Sequence, residues 1–147
     1  MWSVSSHVAA DPTLDVEDAK HLLRESVRTH RNHRSIRDRA DAGEATARHA
    51  SEIIADVGCV AIYAARPNEP ATEPLIEHLH SRGIDVLLPI LGVGLSRDWA
   101  LHQPGESLEV RAPGRPPEPA GPGLGVTALQ RADVVFAPAL AVDRTGV

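Results

Sequence analysis

Two continuous apolar runs, separated by a helical pattern, constrain the fold of this chain more than any other feature. The runs cover residues 59–65 and 84–91. Apolar runs of this length without polar alternation are typical of strands that are buried on both faces. Between them lies a predicted helix over residues 71–82, with an apolar stripe of Leu75, Ile76 and Leu79. A strand, a helix and a strand in this order predict a right-handed parallel crossover and an α/β fold.

The remaining elements follow from similar patterns. Apolar residues at helical spacing predict helices over residues 16–34 and 41–55. Alternation on both sides of residues 103–106 predicts a hairpin or a pair of short strands, and residues 133–138 predict a third buried strand. A short helical turn is expected at 127–131. Six prolines and five glycines within residues 104–125 predict a long loop there.

Three features of the loops and strands limit the pairing and the chemistry. Pro89 cannot donate a backbone hydrogen bond, so it should end the ladder of its strand or place that strand at a sheet edge. The segments Gly92-Val-Gly94 and Gly121-Pro-Gly-Leu-Gly125 are rich in glycine. Neither is followed by Gly-Lys-Ser/Thr or completes a dinucleotide pattern, so we interpret both as loops.

Length and composition indicate a single domain. The chain has 147 residues, and its hydrophobic fraction of 42% contains only 3% aromatics, which suits parallel strands covered by helices. Residues 1–14 lack periodicity, so we expect a flexible arm there and one α/β domain over residues 15–147. The N-terminus has no basic start and no long apolar stretch, which predicts a cytosolic protein without a membrane partner.

Charge is concentrated in the first predicted helix. Residues 20–39 carry seven basic and two acidic side chains, so this stretch is +5 while the rest of the chain is −10. Helical spacing places Lys20, Arg24, Arg28 and Arg31 on one face. That face is either solvated or an anion site. A nucleic-acid contact is a third interpretation, but such surfaces usually belong to basic domains, so we expect no nucleic-acid partner.

A few single residues are candidates for chemistry, each with a structural alternative. Glu69 could pair through both carboxylate oxygens with two N–H donors of a heterocycle, or it could be a helix N-terminal acid. Trp99 could stack on a ligand or belong to the core. His30 and His33 lack a third candidate metal ligand, and Cys59 is expected to be an inert buried thiol.

Several strings, in their order and spacing, resemble the 5-formyltetrahydrofolate cyclo-ligase family, also called methenyltetrahydrofolate synthetase. The resemblance covers residues 17–147. It rests on five strings: Lys20-His-Leu-Leu-Arg24, Tyr63-Ala-Ala-Arg-Pro-Asn-Glu69-Pro-Ala-Thr72, Arg82-Gly-Ile-Asp-Val-Leu-Leu-Pro89, Glu118-Pro119, and Ala132-Asp-Val-Val-Phe-Ala-Pro-Ala-Leu-Ala-Val-Asp-Arg-Thr-Gly146.

The resemblance implies a three-layer α/β/α fold with a mainly parallel sheet, related to the ribose-5-phosphate isomerase and CoA-transferase group. It implies that ATP, with Mg²⁺, phosphorylates 5-formyltetrahydrofolate, which closes to 5,10-methenyltetrahydrofolate with release of ADP and phosphate. The matching nucleotide segment consists of Lys20, His21, Leu22, Leu23 and Arg24, with Lys20 and Arg24 as phosphate contacts. The matching folate contacts are Ala64 and Glu69. A monomer is expected.

One family segment has no counterpart before Val147. In the family, the strand that ends in Pro-Ala-Leu-Ala-Val-Asp is followed by a Gly-x-Gly-x-Gly-Tyr-Tyr-Asp loop, which wraps the phosphates and supplies an acidic metal ligand. The resemblance therefore implies a fold that is incomplete at its C-terminus, with no metal ligand in this chain and impaired turnover. The alternative function is a non-catalytic remnant that binds nucleotide and folate.

Overall fold

A computed structural model describes residues 15–92, 94 and 96–146. The predicted arm over residues 1–14 lies outside the described residues. The chain divides into two compact units, one formed by residues 1–33 with 140–147 and the other by residues 34–139. That residues 15–147 form a single domain stays a prediction.

The first unit contains one helix, α1 (Val16–Asn32), which ends two residues before its predicted end. Glu17 and Asp18 lie in its first turn and His30 and Arg31 in its last, so the charges at both ends complement the helix dipole. No residue of α1 is buried. The Arg31 guanidinium donates to the Leu140 carbonyl at 3.1 Å, which joins α1 to residues 140–146 of the same unit.

The second unit begins with α2 (Ile36–Ile53), five residues earlier than the pattern of apolar residues predicts. The reason is a capping box: the Ser35 hydroxyl accepts from the Asp38 amide at 3.0 Å, and the Asp38 carboxylate accepts from the Ser35 amide at 3.3 Å. Two of the helix's first amide groups are satisfied in this way. Helix formation therefore starts at a polar stretch that has no apolar periodicity.

A four-stranded sheet forms the centre of the second unit. Its spatial order is β3-β2-β1-β4, with β1 parallel to β2 and to β4, and with β2 antiparallel to β3. Helix α3 connects β1 to β2, and a 3₁₀ helix precedes β4. This confirms the α/β class with a mainly parallel sheet flanked by helices. The elements are β1 (Cys59–Ile62), α3 (Glu73–Ser81), β2 (Asp85–Leu91), β3 (Arg97–His102), the 3₁₀ helix (Val126–Arg131) and β4 (Val134–Phe136).

The prediction that Pro89 places its strand at a sheet edge was wrong, because β2 is an internal strand and Pro89 lies opposite Trp99 in its ladder with β3. The alternative, that Pro89 ends a ladder, holds on the β1 side only. On β2, the amides of Asp85 and Leu91 face the β1 side, where they donate to Gly58 and to Glu118 respectively. Successive amides alternate in direction, so the nitrogen of Pro89 also faces that side. Pairing with β1 ends at Leu87. Pro89 therefore lacks its N–H at a position where β1 no longer pairs with β2 and so would not accept a hydrogen bond.

The predicted hairpin around residues 103–106 was also wrong. β3 pairs with β2 through the short connection 92–96, and residues 103–110 contribute one isolated bridge, Glu109 to Glu118. The alternating pattern correctly located a strand at Trp99 and Leu101. It did not identify the partner, since an alternating strand can pair with either neighbour along the chain.

The core lies on both faces of the sheet. One face packs Val60, Ile62, Val86 and Leu88 against apolar residues of α2 and α3, among which Leu79 is fully buried. On the other face, Cys59, Ala61 and Leu87 pack against Trp99, Leu101, Leu129 and Ala132. Burial raises the pKa of the Cys59 thiol, in agreement with its interpretation as an inert core residue.

Among the described residues, β4 has a strand partner on one side only, and the side chain of Val135 is 51% exposed. Asp133, which directly precedes β4, bonds this strand to the start of β1: its carboxylate accepts hydrogen bonds from the amides of Gly58 at 2.8 Å and Cys59 at 3.0 Å. These two hydrogen bonds lower the pKa of Asp133. Within the described part of the chain, no helix is long and apolar enough to cross a membrane.

Candidate active site

The carboxyl ends of β1 and β2 lie at the same edge of the sheet because the two strands are parallel. At this edge a cavity of about 390 Å³ opens beside the end of β2 and the start of β3. Its wall combines apolar groups with both signs of charge, as ligand pockets commonly do. The residues that line it include Leu91, Arg97, Asp98, Trp99, Arg115, Glu118 and Leu129.

Glu118 is the buried charge of this cavity, with 5% of its surface exposed. One carboxylate oxygen accepts from the Leu91 amide at 3.1 Å, and the other lies 3.8 Å from the Arg111 guanidinium. Arg111 in turn donates to the Pro119 carbonyl at 3.0 Å. These contacts hold the carboxylate at the end of β2, where it can orient a polar ligand.

Trp99 combines the two roles that the sequence leaves open. Its side chain packs against the core cluster of Cys59, Ala61 and Leu87, and it also lines the cavity. An aromatic ring that the core holds in place offers a rigid surface on which a flat ring can stack. Trp99 therefore supports the core and forms one wall of the cavity.

Glu69 lies in a turn that follows β1. Its carboxylate accepts from the Arg66 amide at 3.0 Å and lies 3.8 Å from the Arg66 guanidinium, while its own amide donates back to the Arg66 carbonyl at 2.9 Å. The alternative of a helix N-terminal acid applies to Glu73 rather than Glu69, since α3 begins at Glu73. Arg66 also donates to the Gly114 carbonyl at 3.5 Å, which links this turn to the segment that supplies Arg115 and Glu118.

Ala64 and Thr72 fix the base of the same loop. Ala64 is 2% exposed, so in this conformation it supports the loop and offers little surface to a ligand. Thr72 is buried, and its hydroxyl accepts from the Ala65 amide at 3.1 Å. Neither Ala64 nor Glu69 is among the residues that line the 390 Å³ cavity. Their roles as folate contacts stay predictions.

The predicted nucleotide segment forms the exposed N-terminal half of α1, in the first unit. Lys20 makes an ion pair with Glu17 at 2.8 Å, and His21 lies 3.3 Å from Glu25. The side chains of Leu22 and Leu23 are about half exposed, and Arg24 is exposed. All five residues are thus accessible to a ligand, and their role in binding nucleotide stays a prediction.

A second, larger cavity of about 560 Å³ is lined by residues of α3, by residues between 102 and 108, and by Pro117. Two histidines, His80 and His102, are part of this lining. His80 on α3 and the buried His102 on β3 stack with ring centroids 5.1 Å apart, and Nε2 of His80 lies 2.9 Å from Nδ1 of His102. Nε2 of His102 donates to the Glu106 carbonyl at 3.1 Å, so the neutral ring leaves Nδ1 as the acceptor for His80.

Stability should fall as the pH drops through the range in which free histidine titrates. Burial, and then the charge of His102, lower the pKa of His80, against the opposing effect of Asp85. The unfolded chain therefore binds the proton first. The contribution of this group is complete above its unfolded pKa of about 6.5, and it is lost as the pH falls from there towards the lowered folded pKa.

Urea unfolding between about pH 7.5 and 5.5 measures this effect. His80→Gln should flatten the profile in that window. Glu106 and Asp133 do not interfere, because hydrogen bonds from backbone amides hold their pKa values below the ordinary 4.5 and 3.8. An unchanged slope in His80→Gln would contradict the role of the histidine pair.

His30 and His33 do not point to a metal site. Nδ1 of each ring bonds a carbonyl of its own helix, to Ser26 at 2.8 Å and to Thr29 at 2.7 Å respectively. Over residues 15–92, 94 and 96–146, no group of three histidine, cysteine or acidic side chains is arranged to hold a metal ion.

Comparison with known proteins identifies the family. The family model described as "5-formyltetrahydrofolate cyclo-ligase family" matches residues 16–147. The chain belongs to this family. A protein of Mycolicibacterium smegmatis named 5-formyltetrahydrofolate cyclo-ligase is 33% identical over 122 residues, which cover 78% of this chain and 62% of that protein.

A solved structure supports the fold. The NMR structure of Aquifex aeolicus 5,10-methenyltetrahydrofolate synthetase superposes with a TM-score of 0.66 at 23% identity, covering 84% of this chain and 62% of that one. The chain thus spans about 62% of the length of both relatives.

The sequence pattern missed part of this site. Glu118 is noticeable in the sequence only as part of a Glu-Pro string, and Arg115 lies in a proline-rich stretch that we interpret as a loop. One signal could have pointed to Glu118: it is an acidic residue between prolines in a loop that returns to the sheet. No sequence pattern pointed to Asp98, because its role depends on contacts with two glycine-rich segments that come together only in the folded chain.

Proposed function

We propose that this chain provides the folate-binding and nucleotide-binding parts of a 5-formyltetrahydrofolate cyclo-ligase. The observation that carries the proposal is the cavity at the end of β2 and the start of β3, which brings a rigid tryptophan and a buried carboxylate together in a member of this family. A flat heterocycle with N–H donors at its edge is the kind of ligand that such a pair recognises.

The proposed reaction begins when the formyl oxygen of 5-formyltetrahydrofolate attacks the γ-phosphorus of ATP, and ADP leaves. The second folate nitrogen then attacks the activated carbon and loses its proton to solvent. Loss of phosphate gives 5,10-methenyltetrahydrofolate. The chain's task in such a transfer is to position the reactants and to offset negative charge on the phosphoryl group.

In this scheme Trp99 stacks on the pterin and Glu118 accepts hydrogen bonds from its edge. Glu69, outside the lining of this cavity, is a further folate contact. On α1, Lys20 and Arg24 are the phosphate contacts. The exposed ion pair of Lys20 with Glu17 contributes little to stability, so the Lys20 ammonium can turn to a phosphate at little cost.

Magnesium enters the proposal only as the partner of ATP. Bound together with ATP, it would offset negative charge on the phosphates. The part of the chain that the structure describes offers no three-ligand group for it, so no step is assigned to the metal through these residues.

We further propose a cytosolic monomer whose ligands are small molecules.

Turnover and binding together test the proposal. The chain is mixed with ATP, Mg²⁺ and 5-formyltetrahydrofolate, and the absorbance of 5,10-methenyltetrahydrofolate is followed, while calorimetry measures the binding of each ligand. Turnover supports the ligase, and binding of both ligands without turnover supports the alternative of a non-catalytic remnant. Absence of folate binding contradicts both.

Glu69→Gln should weaken the binding of 5-formyltetrahydrofolate about tenfold, because the amide loses the charge of a hydrogen-bond acceptor. Glutamine keeps an oxygen for the Arg66 amide, so the turn itself should persist. Calorimetric titration of the folate measures the effect. Glu73→Gln, on the first turn of α3, is the matched control and should bind as the parent does. Equal affinity in both variants would remove Glu69 from the folate site.

A further inference from the structure

The Asp98 carboxylate lies between the two glycine-rich segments of the chain. A Cβ added to Gly92 would lie 2.7 Å from Ser96 Oγ and 3.2 Å from both Cβ and Oδ2 of Asp98, and a Cβ added to Gly123 would overlap Oδ2 of Asp98 and lie 2.9 Å from its Cγ. Glycine at position 123 therefore leaves the space that the carboxylate occupies, and glycine at position 92 leaves space for the side chains of Ser96 and Asp98. Neither segment follows a phosphate-binding pattern, and these contacts give both glycines a structural reason.

The carboxylate also fastens the second segment along β3. Asp98 Oδ1 accepts from the Gly125 amide at 2.6 Å and from the Trp99 amide at 2.6 Å. Beside these bonds, the Leu124 amide donates to the Trp99 carbonyl at 2.8 Å. Residues 121–125 thus lie along the edge of β3 that faces away from β2, and the Asp98 carboxylate is the charged acceptor among the hydrogen bonds that attach them.

The hydrogen bond between Asp98 and Gly125 fixes the start of the 3₁₀ helix, which forms another wall of the cavity. Gly125 has a positive φ of 85° and directly precedes the 3₁₀ helix, from which Val126 and Leu129 line the cavity. Trp99, on the other wall, is bonded to the same carboxylate through its amide. The Asp98 side chain therefore connects the two walls of the cavity, through a hydrogen bond between residues that are 27 positions apart in the sequence.

We infer that Asp98 is a positioning residue: it holds residues 121–129 against β3 and so sets the separation between Trp99 and the 3₁₀ helix. Its consequence for folate rests on the proposed function, whereas its effect on residues 121–129 does not. Asp98 itself has no task in the chemistry.

Asp98→Ala in a Trp2→Phe background tests the inference, because Trp99 is then the one remaining tryptophan. Hydrogen exchange at the Leu124 and Gly125 amides should become at least about tenfold faster. The emission maximum of Trp99 should shift to the red, and quenching by 5-formyltetrahydrofolate should report about tenfold weaker binding. Asp98→Asn keeps one acceptor oxygen, so it should retain most of the amide protection.

A double-mutant cycle gives an independent measurement. Gly123→Ala should accelerate exchange at Leu124 and Gly125 by itself, because the added methyl displaces the Asp98 carboxylate. In the Asp98→Ala background the same change should have little further effect, since the three nearest atoms to that methyl all belong to Asp98. Gly58→Ala, whose Cβ would meet only Asp133 Oδ2 at 3.8 Å, is the matched control.

The outcomes separate the two proposals. Unchanged exchange and unchanged Trp99 emission in Asp98→Ala, or additive effects in the cycle, would overturn the inference. Faster exchange with unchanged folate affinity would overturn the positioning of the cavity wall. If the parent protein binds no folate, the proposed function fails, and exchange together with Trp99 emission still decides the role of Asp98. If Asp98→Ala does not fold, Asp98→Asn and Gly123→Ala provide the same readouts.

Discussion

Glu118→Ala should lower the free energy of unfolding by about 2–3 kcal/mol and abolish measurable folate binding. The carboxylate is 5% exposed and accepts from the Leu91 amide, so its removal leaves a partly buried N–H without a partner at the end of β2. It also leaves Arg111 without its acidic partner, although Arg111 is 46% exposed and water replaces part of that interaction.

Urea unfolding followed by circular dichroism measures this loss, and calorimetry measures the binding. Glu118→Gln should have the smaller effect on stability, because its amide oxygen can still accept from Leu91. Glu109→Ala is the matched control: Glu109 pairs with Glu118 through backbone atoms only in the isolated bridge and is exposed. A loss below about 0.5 kcal/mol in Glu118→Ala would show that the buried carboxylate is not needed for the fold.

Gly43→Ala should destabilise the protein by about 1–2 kcal/mol, although alanine is the better helix former. In an open helix position this change would stabilise by about 1 kcal/mol. At Gly43, however, an added Cβ would lie 2.9 Å from the Ala71 Cβ and 3.0 Å from the Ala71 carbonyl oxygen. Backbone atoms cannot move aside as a flexible side chain can, so α2 must shift away from the loop that follows β1.

The control for this prediction lies on the same helix. Ala40→Gly, at an exposed position of α2, measures the intrinsic difference between alanine and glycine and should destabilise by about 1 kcal/mol. Ala71→Gly added to Gly43→Ala should recover part of the loss, because it removes one of the two contacts. Thermal and urea unfolding report both. A stabilised Gly43→Ala variant would mean that α2 and the loop separate easily.

The sequence was sufficient for the class of fold and for the position of most elements. The buried strands β1 and β2 could be predicted because strands covered on both faces are apolar at nearly every position, and the one charged residue of the two strands, Asp85, lies at the exposed start of β2. The start of α2 is also a local property, since the capping box lies within residues 35–38. Apolar periodicity does not detect it, and for this reason the predicted start was five residues late.

Pairing and contacts between distant segments required the tertiary structure. Pro89 is compatible with an internal strand only because β1 pairing ends before it, and the hairpin partner of β3 is β2. In the site, the Glu69 turn is local, whereas Glu118 reaches Leu91 and Asp98 reaches Gly125 across 27 residues. A sequence shows which groups must be buried or need a hydrogen-bond partner within a few residues. Which distant group meets that need depends on strand register and loop closure, and these are decided only when the whole chain packs.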